Sequence, residues 1–99
     1  RVTGVGVVGA RNLNHVGMLS HYALKAAGQG LFAVACANSP SIVAPPGGKK
    51  AVLGSNPLCV GFPVDEKVSI VLDMATSAVS AGKIAVAAGR GERITARRP

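Results

Sequence analysis

His15 lies in the stretch Asn12-Leu13-Asn14-His15-Val16-Gly17, which gathers three polar side chains and a glycine in a chain poor in polar groups. Imidazole titrates near neutral pH, so a histidine can donate or accept a proton there. Three other polar turns flank apolar runs: Asn38-Ser39, Ser55-Asn56, and Asp73 to Ser77. Gathered at one sheet edge, the four would offer an imidazole, a carboxylate, several hydroxyls and amides, and backbone N–H groups. That inventory suits a polar ligand bearing phosphates or carboxylates. It contains no metal-ligand set and no defensible Ser-His-Asp order. Each residue also has a structural alternative. Asp73 can cap the helix that follows it, Ser39 and Ser55 can be turn-formers, and His15 can be a core histidine bonded to a carbonyl.

The elements that would position these groups are legible in outline. Val2 to Arg11 is rich in Val and Gly and reads as a strand, its glycines letting another segment approach closely. It contains the string Gly4-x-Gly6-x-x-Gly9, but a dinucleotide fingerprint needs a strand before the first glycine and a helix opening at the last. Only three residues precede Gly4, no helix start follows Gly9, and the first acidic residue of the chain is Asp65. Met18 to Gly28 has helical spacing at Leu19, Tyr22, Ala23, Ala26 and Ala27, with Gly28 and Gly30 as the stop. His21 falls in this helix away from any polar cluster and reads as a surface histidine.

Leu31 to Ala37 is wholly apolar and reads as a buried strand. The order so far suggests a right-handed crossover between parallel strands. Ser41 to Pro57 is loop-rich, and Gly47-Gly48-Lys49-Lys50 lacks the P-loop pattern. Leu58 to Val64 and Val68 to Leu72 read as further strands around an Asp65-Glu66-Lys67 turn. Ala78 to Ala88 reads as an Ala-rich helix, capped by Thr76 or Ser77 and stopped by Gly89. The fold class is therefore α/β (mixed α+β), in the order β-α-β-β-β-α.

Ninety-nine residues suffice for one domain. The core would be built mostly of Ala and Val, small side chains that allow close helix-on-sheet packing while burying little area each. The net charge is +7, of which Arg90, Arg93, Arg97 and Arg98 against Glu92 supply +3. The domain is thus expected to span residues 1–89, followed by a basic, disordered tail at 90–99. A basic tail attracts phosphate, so a non-catalytic nucleotide- or nucleic-acid-binding module is the rival reading. No aromatic interleaving, zinc spacing or RNA-binding signature supports specific nucleic-acid recognition. Cys36 and Cys59 fit no metal or redox motif and read as two buried, reduced thiols of a cytoplasmic protein. No apolar run approaches the roughly 20 residues needed to span a bilayer. Arg1 stands where an initiator Met is expected, and the polar last ten residues have no apolar period, which reads as a fragment.

Five motifs occur in order: Asn12-x-Asn14-His15-x-Gly17, Asn38-Ser39-Pro40, Val43-Ala44-Pro45 followed by Gly47-Gly48, Leu53-Gly54-Ser55-Asn56-Pro57, and Leu72-Asp73-Met74-Ala75-Thr76-Ser77. Together they resemble the malate/L-lactate (sulfolactate) dehydrogenase family, to which ureidoglycolate dehydrogenase, diketogulonate reductase and cyclic imino-acid reductases also belong. The resemblance covers about Val5 to Ile84. It implies an NAD- or NADP-dependent oxidoreductase interconverting 2-oxo and 2-hydroxy acids, a homodimer whose cofactor domain is not a Rossmann fold. It implies that His15 is a catalytic histidine of the active site, with the acid/base role it has in some members. It places Val16, Gly17, Leu19, Ser39, Asp73, Met74 and Ala75 at cofactor-binding positions, and Ser55 beside the substrate. It implies no metal. The family's upstream Ser-His-Gly segment is absent from these residues, and Ile94 to Pro99 departs from the family's continuation, as in a truncated or frameshifted chain.

Overall fold

The computed structural model describes residues 3–65 and 69–93. Five elements follow in order: α1 (Leu19–Ala27), β1 (Ala33–Cys36), β2 (Leu58–Pro63), β3 (Ser69–Met74) and α2 (Ala81–Gly89). The strands form one sheet in the order β1-β2-β3, and both pairings are antiparallel. The chain is therefore mixed α and β. The expected right-handed crossover through α1 is not formed among the described residues, because residues 3–11 form no strand to stand beside β1; β1, β2 and β3 connect as an antiparallel meander.

The helix–sheet packing follows from side-chain size. Register sets Ala35, Cys59 and Asp73 side by side, and Ala33, Gly61 and Val71 beside them. Alternation along a strand puts these six on one face. Leu19, Ala23 and Ala27, four residues apart on one side of α1, are buried. Leu19, Ala23 and Cys59 form the core, with Val16, Ala33, Ala35, Ala37 and Val71 packed around it. Gly61 is where the helix comes nearest: a Cβ there would sit 3.0 Å from the Ala23 Cβ.

The other sheet face is apolar and open. Val34, Phe62, Ile70, Leu72 and Met74 are exposed, as is Phe32, whose ring lies 4.8 Å from that of Phe62. The run Leu31–Ala37 was expected to be buried, as continuous apolar strands usually are. Here α1 covers one face alone, so β1 alternates between half-buried and exposed, and β3 does so from Ser69 to Leu72 before ending exposed at Asp73 and Met74. Cys36 follows the same rule: it is exposed, while Cys59 is buried, and both are free thiols.

The expected first strand is not formed. Residues 5–11 are irregular and exposed, Gly4 takes φ +73°, and nothing lies within 4 Å of where a Cβ would sit on Gly4, Gly6 or Gly9. β-Branched residues favour a strand chiefly by packing on neighbours, and this run pairs with no described strand. The observed order is thus α-β-β-β-α. Close backbone approach is found instead at Gly61 and at Gly54.

Each helix closes on a glycine in the left-handed position; α1 ends at Ala27 with Gly28 as its C-cap, as expected, whereas α2 runs through Gly89. Gly30 takes φ +70°, with Gly30 N–H bonded to Ala27 C=O (2.9 Å) and Leu31 N–H to Ala26 C=O (3.1 Å). This is a Schellman closure with glycine in the left-handed position. Gly91 does the same for α2, through Gly91 N–H to Ala88 C=O and Glu92 N–H to Ala87 C=O, so Gly89 lies within the helix. Ser80, not Thr76 or Ser77, precedes α2, and no side chain caps it. No residue of α2 is buried. Arg90 pairs with Glu92 at 3.7 Å across exposed side chains; residues 94–99 of the expected tail, and Glu66–Val68 of the expected turn and strand start, lie outside the described residues.

Candidate active-site edge

The antiparallel register brings three polar segments to one end of the sheet. Cys36 at the end of β1 pairs with Leu58 at the start of β2, which pairs with Met74 at the end of β3. The turns Asn38-Ser39, Ser55-Asn56 and Asp73–Ser77 leave from these three ends. Hydrogen bonds then join them.

Ser39 and Asn56 hold each other reciprocally: Ser39 N–H donates to Asn56 Oδ1 at 3.1 Å, and Asn56 N–H donates to Ser39 Oγ at 3.0 Å. The Ser39 and Ser55 hydroxyls lie 3.1 Å apart in a partly buried contact. The turn requires Gly54, because a Cβ there would collide with Asn56 Oδ1, Ser39 Oγ and the Ser39 carbonyl. Asn56 itself takes φ +31°, a region in which Asn is among the tolerated residues. From the third segment, Thr76 gives both its N–H (2.9 Å) and its Oγ1 hydroxyl (3.0 Å) to the Ser55 carbonyl.

Asp73 ties this edge to the histidine turn. Its Oδ2 accepts the Ser20 N–H at 2.7 Å. Met18, the residue before α1, makes no side-chain cap, and the first turn holds no acid. The carboxylate from β3 supplies both a cap acceptor and a negative charge at the helix N-terminus. Asp73 therefore caps the helix before it in sequence, α1, and not the one after. It also stands beside Cys59 in the register, and burial followed by the Asp73 charge pushes the Cys59 thiol above its ordinary value.

His15 is exposed, in the turn that enters α1. Its Nδ1 accepts the Gly17 N–H at 2.7 Å. An acceptor nitrogen carries no proton, so this bond assigns the neutral ring's proton to Nε2. Gly17 takes φ +78°, and no described residue beyond its chain neighbours lies within 4 Å of where its Cβ would sit, which leaves that face of the turn open among the described residues. The Val16 carbonyl accepts the Tyr22 hydroxyl at 3.0 Å.

The structure sorts the other expected site residues by what they can present. Val16 packs on the core and Leu19 is buried, so these two can meet a ligand only through backbone. Asp73 and Met74 alternate across β3: Asp73 faces the start of α1, while Met74 is exposed on the open sheet face. Ala75 is half-buried in the turn between them and Thr76. Ser39 and Ser55 meet; His15 joins them through α1, Asp73 and Thr76 rather than by direct contact. Ser20 and Tyr22 are the participants that sequence reasoning missed. A tyrosine seven residues after the histidine, on the first turn of a helix, was the available signal. A separate depression of about 460 Å³, lined by Ala27, Gly28, Gly30, Pro63, Val64 and Asp65, lies at the far end of α1 from His15. Among the described residues no three His, Cys, Asp or Glu side chains cluster as metal ligands, and no helix is long and apolar enough to cross a membrane.

The chain is 45% identical over 94 residues to a malate dehydrogenase of Pyrococcus abyssi, a match covering 95% of this chain and 26% of that protein. It is 43% identical over 94 residues to an L-sulfolactate dehydrogenase of Methanothermobacter thermautotrophicus, covering 95% of this chain and 27% of that one. A crystal structure of a dehydrogenase from Sinorhizobium meliloti superimposes with a TM-score of 0.77 at 45% identity, over 83% of this chain and 24% of the other. The chain thus spans about a quarter of the length of these relatives. The model of the malate/L-lactate dehydrogenase family matches residues 1–97, and the chain belongs to that family.

Proposed function

We propose that this chain is the part of an NAD- or NADP-dependent oxidoreductase that carries its proton donor and one wall of its cofactor site. The complete protein would be a cytoplasmic homodimeric enzyme that interconverts small 2-oxo and 2-hydroxy acids of the malate, lactate or sulfolactate kind. The observation that carries this reading is the convergence at one sheet end of the segments that the family resemblance singles out, in a chain matched by the family model over residues 1–97.

The residues present fit one wall of a nicotinamide site. Gly17 leaves an open surface for a flat ring, and His15 is exposed beside it. The backbone of Val16, Gly17 and Leu19 would face the cofactor, with Ser39 and the Asp73-Met74-Ala75 turn completing the contact. Met74 would bring its exposed thioether side chain, and Asp73 its backbone, since its carboxylate is held by Ser20. The nicotinamide, when bound, supplies the hydride chemistry. His15 would direct its Nε2–H at the substrate oxygen and stabilise the negative charge that develops there; a proton passed to that oxygen would come from the imidazolium form, in which Nδ1 is also protonated and no longer accepts the Gly17 N–H, leaving a neutral ring behind. Ser55, tethered by Ser39 and Thr76, would orient the substrate through its hydroxyl. The domain expected at residues 1–89 is, on this reading, part of a cofactor- and substrate-binding unit with a non-Rossmann topology.

The test is NAD(P)-dependent oxidation of malate, L-lactate and sulfolactate by the complete purified protein. The expected result is turnover of at least one of them, with the 99-residue chain alone inactive. Absence of turnover with all three acids and both cofactors would overturn the reading.

A further inference from the structure

We infer that Tyr22 is a positioning residue for His15, acting through a single peptide unit; the inference rests on the dehydrogenase reading above. The Tyr22 hydroxyl donates to the Val16 carbonyl at 3.0 Å. The Gly17 N–H donates to His15 Nδ1 at 2.7 Å. That carbonyl and that N–H belong to the same Val16–Gly17 peptide. The three groups therefore form one chain: Tyr22 O–H to Val16 C=O, then Gly17 N–H to His15 Nδ1, with Nε2–H at the outer end.

Two physical effects follow. A hydrogen bond to a carbonyl polarises its peptide and strengthens the N–H on the other side, because linked hydrogen bonds reinforce one another. The Tyr22 hydroxyl thereby favours the tautomer whose proton sits on Nε2. It also fixes the peptide plane. The turn needs such a fixture, since it has no helix or strand hydrogen bonds of its own, its glycine is at φ +78°, and residues 5–11 leading into it are exposed and irregular.

The anchor at the other end is firm. Tyr22 lies on α1, whose first turn is held by Asp73 at Ser20 N–H and whose inner side is buried at Leu19 and Ala23. The Tyr22 ring is further restrained by an edge-on contact with His21, with centroids 5.4 Å apart at 85°. Position is thus passed from β3 to α1, from α1 to the tyrosine, and from the tyrosine to the imidazole. The hydroxyl itself touches neither substrate nor cofactor in this arrangement.

The experiment compares Tyr22→Phe and His15→Ala with the parent in the complete enzyme, using kinetics and ¹⁵N NMR of the histidine side chains. Tyr22→Phe keeps the ring and removes the hydroxyl. Its kcat for oxo-acid reduction is expected to fall about tenfold through lost orientation, with KM for the cofactor within about twofold of the parent. The His15 nitrogens should move from the Nε2–H pattern toward a mixture of tautomers, with an unchanged melting temperature. An unchanged kcat together with an unchanged His15 pattern would overturn the inference. So would a drop in activity that comes with lower stability and an unchanged tautomer. Unchanged kcat in His15→Ala would overturn the assignment of His15 and this inference with it, absence of turnover in the parent would overturn the dehydrogenase reading, and a loss in His15→Ala beside a parent-like Tyr22→Phe defeats the inference alone.

Discussion

The Gly17 N–H occupies Nδ1 of His15 at 2.7 Å, and that contact decides what the imidazole offers: a donor at Nε2. The neighbouring carboxylate is likewise already committed. Asp73 accepts Ser20 N–H at 2.7 Å, so replacing it by Ala should remove the cap of α1 and cost about 1 kcal/mol, measurable by urea unfolding. The two thiols make a sharper contrast. Cys59 is buried and beside Asp73, and both effects raise its pKa; Cys36 is exposed. At mildly alkaline pH a thiol reagent should label Cys36 and spare Cys59. The linkage has a definite sign. Folded Cys59 keeps its proton above the pH at which the unfolded thiol, near 9.0, loses it. Its contribution to stability is therefore intact below that pH and lost as pH rises through the raised folded value. Unfolding followed from pH 7 upward should show this decline, and Cys59→Ala should remove that part of it.

At the scale of elements, the fold depends on small residues where α1 meets the sheet. Gly61→Ala would place a methyl 3.0 Å from the Ala23 Cβ and 3.2 Å from its carbonyl oxygen, both on a packed helix. The helix must lift, at a cost of roughly 1–3 kcal/mol, and the melting temperature should fall. Parent-like stability in this variant would show that α1 does not rest on β2 as described. Helical spacing at Leu19, Ala23 and Ala27 made α1 readable from sequence to within one residue at each end, because burial on one side imposes that spacing. The runs at Leu58 and at Val68 gave β2 and β3 for a similar reason. The Val2–Arg11 run misled, since its valines carry strand propensity but residues 3–11 find no strand partner among the described residues. Strand direction was illegible as well: nothing local in Leu31–Ala37 distinguishes a parallel from an antiparallel partner. Among the candidate site residues, His15, Ser39, Ser55 and Asp73 were legible as polar groups at element ends. The partner of Asp73 was not, because Ser20 is 53 residues away in sequence and the cap crosses from β3 to α1.

The whole molecule carries a one-sided sheet. One face is sealed by α1 with small side chains; the other presents Phe62, Ile70, Leu72 and Met74 to solvent, with edge strands β1 and β3 unpaired on their outer sides among the described residues. Exposed apolar faces and open strand edges both drive association. The 99-residue chain in isolation should therefore self-associate in light scattering, and a monodisperse monomer would contradict this. The polar groups lie at one end of the same sheet, so the element that organises the site also leaves this apolar face open. His15, the proposed proton donor, is where the structure and the proposed chemistry meet, and one measurement bears on it directly: the single-turnover rate of hydride transfer from NAD(P)H to an oxo acid in the complete protein and in its His15→Ala variant. A loss of roughly 100-fold or more, with cofactor binding retained, is the expected result for removal of the general acid. A rate equal to the parent's would contradict the assignment of His15.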